Sequence, residues 1–254
     1  QGDTRAFEQP LPINTQPKRL ALGSNFAIGV KEDGTVWSWG SGSKGELGMG
    51  KKENRAIPQA IPNMTDFIEV AAGSDHVLAL RKDGTVWSWG DNEKGALGYK
   101  EDGLPYGEPP NIRFSPHQLT PKQIPDLKDV VSIAAGVNSS YAVDKEGKIW
   151  GWGTGAYLMG NVSENEAKIV TTPTIVYEEN KVSIIRTSGS EVMLILENGK
   201  NTVAYWVDPV SKIQRINIDI PGNGMMLELD GKSKWVRRGN SLAVSGYVTL
   251  VTND

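Results

Sequence analysis

Few residues in this 254-residue chain are placed for chemistry. Cysteine is absent and the two histidines, His76 and His117, stand forty-one positions apart. There is therefore no disulfide framework and no thiolate, and a metal site would need histidine gathered with carboxylates from distant segments. No metal or other cofactor is expected. Asp75 beside His76 has the composition of a base and its orienter, but neighbouring residues of a strand project to opposite faces. His76 accordingly reads as a packed, hydrogen-bonded histidine. Acidic residues are plentiful, and a glycosidase needs only two carboxyls facing one another across a cleft, but the sequence does not say which pair converges. The run GSGSKGELGMG from Gly40 has the look of a phosphate cradle. No Gly-Lys-Ser/Thr closes it, and DNEKGALG recurs at the same place in the next copy of a repeat, so a structural turn is the better reading. There is no H-E-x-x-H and no G-x-S-x-G elbow, and the chain is expected not to be an enzyme.

The elements that hold these residues are copied along the chain. KEDGTVWSWGSGSKGELGMG from Lys31 returns as RKDGTVWSWGDNEKGALGYK from Arg81, with looser copies in DKEGKIWGWGTG from Asp144 and LENGKNTVAYW from Leu196. A period near fifty residues marks one supersecondary unit repeated. Trp37 and Trp39, like Trp87 with Trp89 and Trp150 with Trp152, lie two apart and share one face of a strand. Asp33-Gly34, Asp83-Gly84 and Glu146-Gly147 before them predict hairpins with type I′ turns. FAIGV, HVLAL and YAV supply the preceding strand, while LALGSNF, EVAAGSDH and SIAAGVNS supply a buried strand ending at glycine. Pro58, Pro62, Pro121 and Pro125 belong to connections or an edge strand, where a missing N–H costs no ladder bond. Each unit is about four strands. A sheet apolar on both faces is buried by stacking its neighbours around an axis, with the indoles filling the gap between sheets.

The fold class read from these patterns is all-β, a β-propeller of four-stranded blades with about five blades, or a partial or open ring of a seven-bladed type. Turn glycines at 34, 84, 147, 199 and 231 are separated by 50, 63, 52 and 32 residues, so the last unit is short. Residues 1–184 hold the clear blades and residues 185–254 a divergent terminal or capping region. The pattern AAG-x-x-H-x-x-AL-x-x-DG-x-V-W-x-WG-x-N-x-x-G-x-LG, from Ala71 to Gly98, resembles the repeat of the regulator of chromosome condensation family. The resemblance covers about Leu20 to Gly160 and fades where AYWVDP stands in place of Trp-x-Trp-Gly. It implies a propeller, commonly of seven blades, and seven units of this size would take about 350 residues. Members of that family include a chromatin-bound exchange factor for a small GTPase, and similar bacterial propellers include a secreted inhibitor that binds through one loop face. A bacterial member is the expected kind.

Function must then sit on loops. Residues just after each repeat's glycine should gather at one end of the propeller, making Asn25, Phe26, Asp75, His76, Asn138 and Ser139 binding candidates. The Tyr99 to Pro121 connection is thirteen residues longer than its counterpart and concentrates Tyr99, Tyr106, Arg113 and Phe114, side chains typical of interface anchors. The function expected is a recognition scaffold for a protein or a cell-surface polymer. The alternatives are a carbohydrate-active enzyme using loop carboxylates and a self-assembling module joined through terminal blades. With 27 Lys and Arg against 30 Asp and Glu, the net charge of −3 offers no attraction for nucleic acid. No run approaches the length of a spanning helix, so membrane insertion is not expected. The opening QGDTRAFEQPLP shows no signal peptide, and a start at Gln1 suits a processed, secreted or surface protein, with the cytoplasm as the alternative.

Overall fold

A computed structural model describes residues 19–99, 117–154 and 169–178, and beyond these the strands within 182–245. Its described elements are all β-strands, arranged in five antiparallel sheets, each built from strands consecutive in sequence. The first sheet is β1 (Arg19–Leu22), β2 (Phe26–Val30), β3 (Val36–Gly40) and β4 (Arg55–Ala60). The second is β5 (Phe67–Ala72), β6 (His76–Arg81), β7 (Val86–Asp91) and β8 (His117–Gln123). The third is β9 (Val130–Ala135), β10 (Ser139–Asp144), β11 (Ile149–Thr154) and β12 (Ile169–Tyr177). A fourth follows as β13 (Val182–Ser188), β14 (Glu191–Asn198), β15 (Asn201–Val207) and β16 (Gln214–Ile216). The fifth sheet has three strands, β17 (Met225–Leu229), β18 (Ser233–Arg238) and β19 (Ser241–Ser245). This is a partial propeller of four-stranded blades, and β13 runs across the division placed between residues 184 and 185.

The second strands of the first three blades, β2, β6 and β10, are buried along their whole described length, and β6 shows why: it lies between two neighbouring sheets. In β6, Val77 and Ala79 pack into a cluster with Ile28, Val36 and Leu47 of the first blade. Leu78 and Leu80, on the opposite face, pack with Ile133, Ala142 and Trp152 of the third. Alternation here sorts side chains between two junctions rather than between core and water. The fourth blade joins the third through Thr187 Oγ1, which donates to the Ala135 carbonyl at 2.7 Å, and Val182 N, which donates to the Gly147 carbonyl at 3.1 Å. Pro58, Pro121 and Pro173 lie in β4, β8 and β12, each an edge strand of its sheet and each beside a register irregularity, so none interrupts an interior ladder.

The expected type I′ turns are corrected by the structure. Gly34 has φ of 79° and Gly84 of 82°, whereas Asp33 and Asp83 do not take positive φ, and a type I′ turn needs both. Gly34 N instead donates to the Lys31 carbonyl at 3.0 Å, closing a turn one residue longer that ends in a left-handed glycine and a bulge. The physical reason is the carboxylate. Asp33 Oδ1 accepts from both the Thr35 N–H, at 2.9 Å, and the Thr35 hydroxyl, at 2.6 Å. These bonds, chiefly the hydroxyl, hold its carboxyl below the usual range. Asp83 does the same with Thr85.

Candidate functional site

The inner strands β1, β5, β9 and the end of β13 surround an open central channel of about 290 Å³. At one end of it the loops after Gly23, Gly73 and Gly136 form a rim, and their backbones are tied blade to blade. Ser24 N donates to Ser74 O at 3.0 Å, and Ser74 N donates to Val137 O at 3.3 Å. A second bond fixes each loop to its own blade: the carbonyls of Asn25, Asp75 and Asn138 accept from the amides of Ser41, Asp91 and Thr154 at 2.8, 2.8 and 2.9 Å. This bond explains the glycine that ends the Trp-x-Trp-Gly signature. A Cβ on Gly40, Gly90 or Gly153 would come within 2.6, 2.5 or 2.3 Å of that same carbonyl oxygen.

The tryptophans split into two jobs. Trp89 and Trp152 are fully buried, and each indole N–H donates across a blade junction, to the Glu46 carbonyl at 2.7 Å and to the Ala96 carbonyl at 2.8 Å. The loops GELG and GALG are therefore acceptors for the next blade's indole, and the phosphate-cradle resemblance has a structural explanation. Trp87 and Trp150 pack on the same two junctions but are only partly buried. Trp150 Nε1 donates to Asp144 at 2.9 Å, and Trp87 meets Phe67 edge to face with ring centroids 6.2 Å apart.

The binding candidates divide by burial. Asn25 and Asn138 are exposed on the rim and Asp75 is half-buried there. Phe26, His76 and Ser139 are buried at 3, 2 and 7% exposure, so as surface contacts they are corrected. Each opens a strand that lies between two sheets, and its side chain is directed into a junction. Tyr99 is corrected likewise: it is 3% exposed, packed in the cluster between the second and third blades, with Lys122 Nζ 4.5 Å from its ring centroid. Tyr106, Arg113 and Phe114 lie outside the described residues.

His76 Nε2 is 3.0 Å from Ser140 Oγ, and that hydroxyl donates to the Ala96 carbonyl at 2.7 Å. With its one proton so used, Ser140 accepts from the histidine, which places the imidazole proton on Nε2. Burial lowers the His76 pKa to about 4, so the ring is neutral near pH 7. Asp75, its sequence neighbour, faces elsewhere. Asp75 and Asp91 each place a carboxylate oxygen 2.8 Å from Lys44 Nζ, which reaches over from the first blade. The hydrogen bond to Asp75, then that to Asp91, raises the Lys44 pKa. Two carboxylates do converge, but on a single lysine that bonds to both, a clamp rather than an acid and base pair.

Asp91, Glu93 and His117 bring one ligand atom each within 4.8 Å of one another, a grouping their separation in sequence conceals. Two of the three already hold lysines. Asp91 holds Lys44 and accepts the Glu93 N–H at 2.8 Å, while His117 Nδ1 accepts from Lys52 Nζ at 3.2 Å. Two ammonium groups beside the trio oppose a cation, so no metal is assigned to it.

Three consecutive blades, a tryptophan donor at each junction and a pinned loop rim define a repeat-built β-propeller scaffold. The regulator of chromosome condensation (RCC1) repeat matches residues 33–80 and 83–143, and a second form of that repeat matches 18–46 and 67–96. This region is thus similar to the regulator of chromosome condensation repeat. Protein pim1 of Schizosaccharomyces pombe is 28% identical over 112 residues, 42% of this chain and 20% of that protein. Among solved structures, human WBSCR16 has a TM-score of 0.61 at 20% identity, covering 78% of this chain and 49% of that one. Prp20p of Saccharomyces cerevisiae gives 0.59 at 24% identity, with 78% and 48% covered, and the yeast RCC1 (Prp20) complex with Kap60 gives 0.62 at 20%, with 89% and 54% covered. The chain spans about half the length of these structures, and the likeness establishes the fold.

Proposed function

We propose that this protein is a non-enzymatic recognition scaffold that binds a protein partner through the loop rim bearing Asn25, Asp75 and Asn138. The carrying observation is the bond that recurs at that position. In three successive blades the same carbonyl is fixed to the same amide, while the side chains displayed there are not held constant: Asp75 stands between Asn25 and Asn138, and Val137 follows Ser24 and Ser74 at the preceding position. Frame and content are separated there, as recognition requires. The rim mixes these polar groups with exposed Leu22 and Val137, which fits the mixed character of protein interfaces. Its aromatic residue, Phe26, is buried and offers no stacking platform to a sugar polymer. Prp20p is described with binding properties to Gsp1p and histones, and yeast RCC1 with bound Kap60, which supports a protein as the partner class. A secreted or surface setting belongs to the same proposal and is checked by fractionating the source cells.

Capture from the source organism by the unaltered protein, by Asn25→Arg with Asn138→Arg, and by a variant lacking residues 101–116 of the long connection, which spares Tyr99 and β8, tests the reading. Loss of a specific partner by tenfold or more in the rim variant, with an unchanged Tm, is expected. A partner retained by the rim variant and lost with the connection moves the site to that connection. Turnover of a glycan panel that disappears on replacing one carboxylate overturns the scaffold reading.

A further inference from the structure

We propose that the central channel holds a small oxyanion, a carboxylate or phosphate group, anchored by Arg19 with Arg186 beside it. One carboxylate, Glu69, faces two guanidinium groups at the end of the channel away from the loop rim. Glu69 Oε1 is 3.1 Å from Arg186 Nη1 and 3.8 Å from Arg19 Nη1. A single negative charge against two positive ones leaves one unit uncompensated at the channel wall. Arg186 is held in place through Nη1, which also donates to Ser132 Oγ at 3.1 Å and to the Ile185 carbonyl at 2.7 Å. Arg19 differs. Its contact with Glu69 is too long for a hydrogen bond, and its five N–H donors find no acceptor among the described residues, although its side chain is only 30% exposed.

Two nitrogens that close to one oxygen are within about 7 Å of each other, a gap an oxyanion can bridge with one oxygen toward each guanidinium. The cavity of about 290 Å³ has room for such a group with a short body, and far too little for a polymer. Leu22, three residues along β1 from Arg19 and so about 10 Å up the channel, supplies an apolar wall for that body. Glu69 competes with the ligand for Arg19. Removing its charge should therefore tighten the site, the opposite of what loss of a purely structural ion pair would do.

Titration calorimetry of the full chain with inorganic phosphate, acetate and hexanoate, at constant ionic strength, tests this. At least one probe should saturate with Kd on the order of 1 mM. Arg19→Gln should weaken it about tenfold or more, and Glu69→Gln should tighten it about threefold or more. Preference for phosphate identifies a phosphate ligand, whereas hexanoate bound several-fold more tightly than acetate identifies a carboxylate with an apolar body. If Glu69→Gln does not fold, Arg19→Gln alone decides, because the Arg19 side chain makes no hydrogen bond among the described residues and the substitution leaves its backbone pairing with Val30 in place. No saturation by any probe up to about 50 mM, or equal binding in Arg19→Gln, overturns the proposal.

Discussion

The junction of the first and second blades and the junction of the second and third share one apolar and backbone framework but are fastened differently at the rim. In both, a buried indole donates to a loop carbonyl of the preceding blade, and a buried serine hydroxyl, of Ser38 or Ser88, donates to the Leu47 or Leu97 carbonyl at 2.8 or 2.7 Å. The first junction then adds the Lys44 clamp onto Asp75 and Asp91. At the second, the equivalent lysine is Lys94, and the positions of the two aspartates are held by Asn138 and Thr154. No ion pair forms there among the described residues. That junction is pinned instead by the neutral bond from His76 to Ser140. The interactions that recur end on backbone carbonyls, which every residue supplies. Those that differ depend on particular side chains: exposed ones in the Lys44 clamp, where a pair contributes little to stability, and buried ones in the His76–Ser140 bond.

The comparison breaks most completely if its shared part is removed. Trp89→Ala and Trp152→Ala should each destabilise by about 3 to 5 kcal/mol in urea denaturation, with similar losses at the two junctions, because each leaves a cavity and removes an indole donor from a buried carbonyl, although the Ala96 carbonyl keeps its bond from Ser140. A difference of more than about 2 kcal/mol between them would show that the junctions are not equivalent.

Next comes the neutral pin. The folded pKa of His76 is about 4 against an ordinary value of 6.5, so between these limits the unfolded chain binds the additional proton. Stability should therefore fall as pH drops from about 6.5 to about 4, with a slope of up to about 1.4 kcal/mol per pH unit. His76→Gln should flatten that slope while costing about 1 to 3 kcal/mol near pH 7. An unchanged slope in the variant would assign the acid sensitivity to other groups.

The charged clamp is worth less. Lys44 and Asp75 are each about one third exposed, so Lys44→Met should cost about 1 kcal/mol at low salt and less at high salt, while Lys94→Met should change stability by under about 0.5 kcal/mol. Transplanting the clamp, with Asn138→Asp and Thr154→Asp around Lys94, should recover up to about 1 kcal/mol at the second junction. If the transplant destabilises, the geometry around Lys94 differs from that around Lys44, and the comparison is sharpened accordingly.

Legibility in the sequence followed the range of the interaction. The blade could be read because its signals are local: alternation of two, Trp-x-Trp, and glycine at a turn. The details of those turns could not, since Asp33 and Asp83 were free to choose between a left-handed backbone and a side-chain bond to the following threonine, and the bond prevailed. At the rim, Asn25 and Asn138 were placed by their repeat position alone. Phe26, His76 and Ser139 occupy the next position, and one step along a strand reverses the face. Lys44 could have been suspected from its recurrence as Lys94 in SKGELG and EKGALG, but nothing local ties it to Asp75 thirty-one residues on. The same applies to Arg19, Glu69 and Arg186, which meet only because three inner strands surround one axis.

By itself, then, the sequence determined the repeated sheet, its antiparallel order and the placing of the tryptophan pairs between sheets, since these are set by hydrogen bonding and periodicity within about fifty residues. Tertiary structure alone decided which polar groups meet across blades: carboxylates clamped rather than catalytic, a histidine neutral and buried, and an arginine at the channel without an acceptor. Those pairings depend on how neighbouring blades stack, and stacking brings together residues that no local spacing relates.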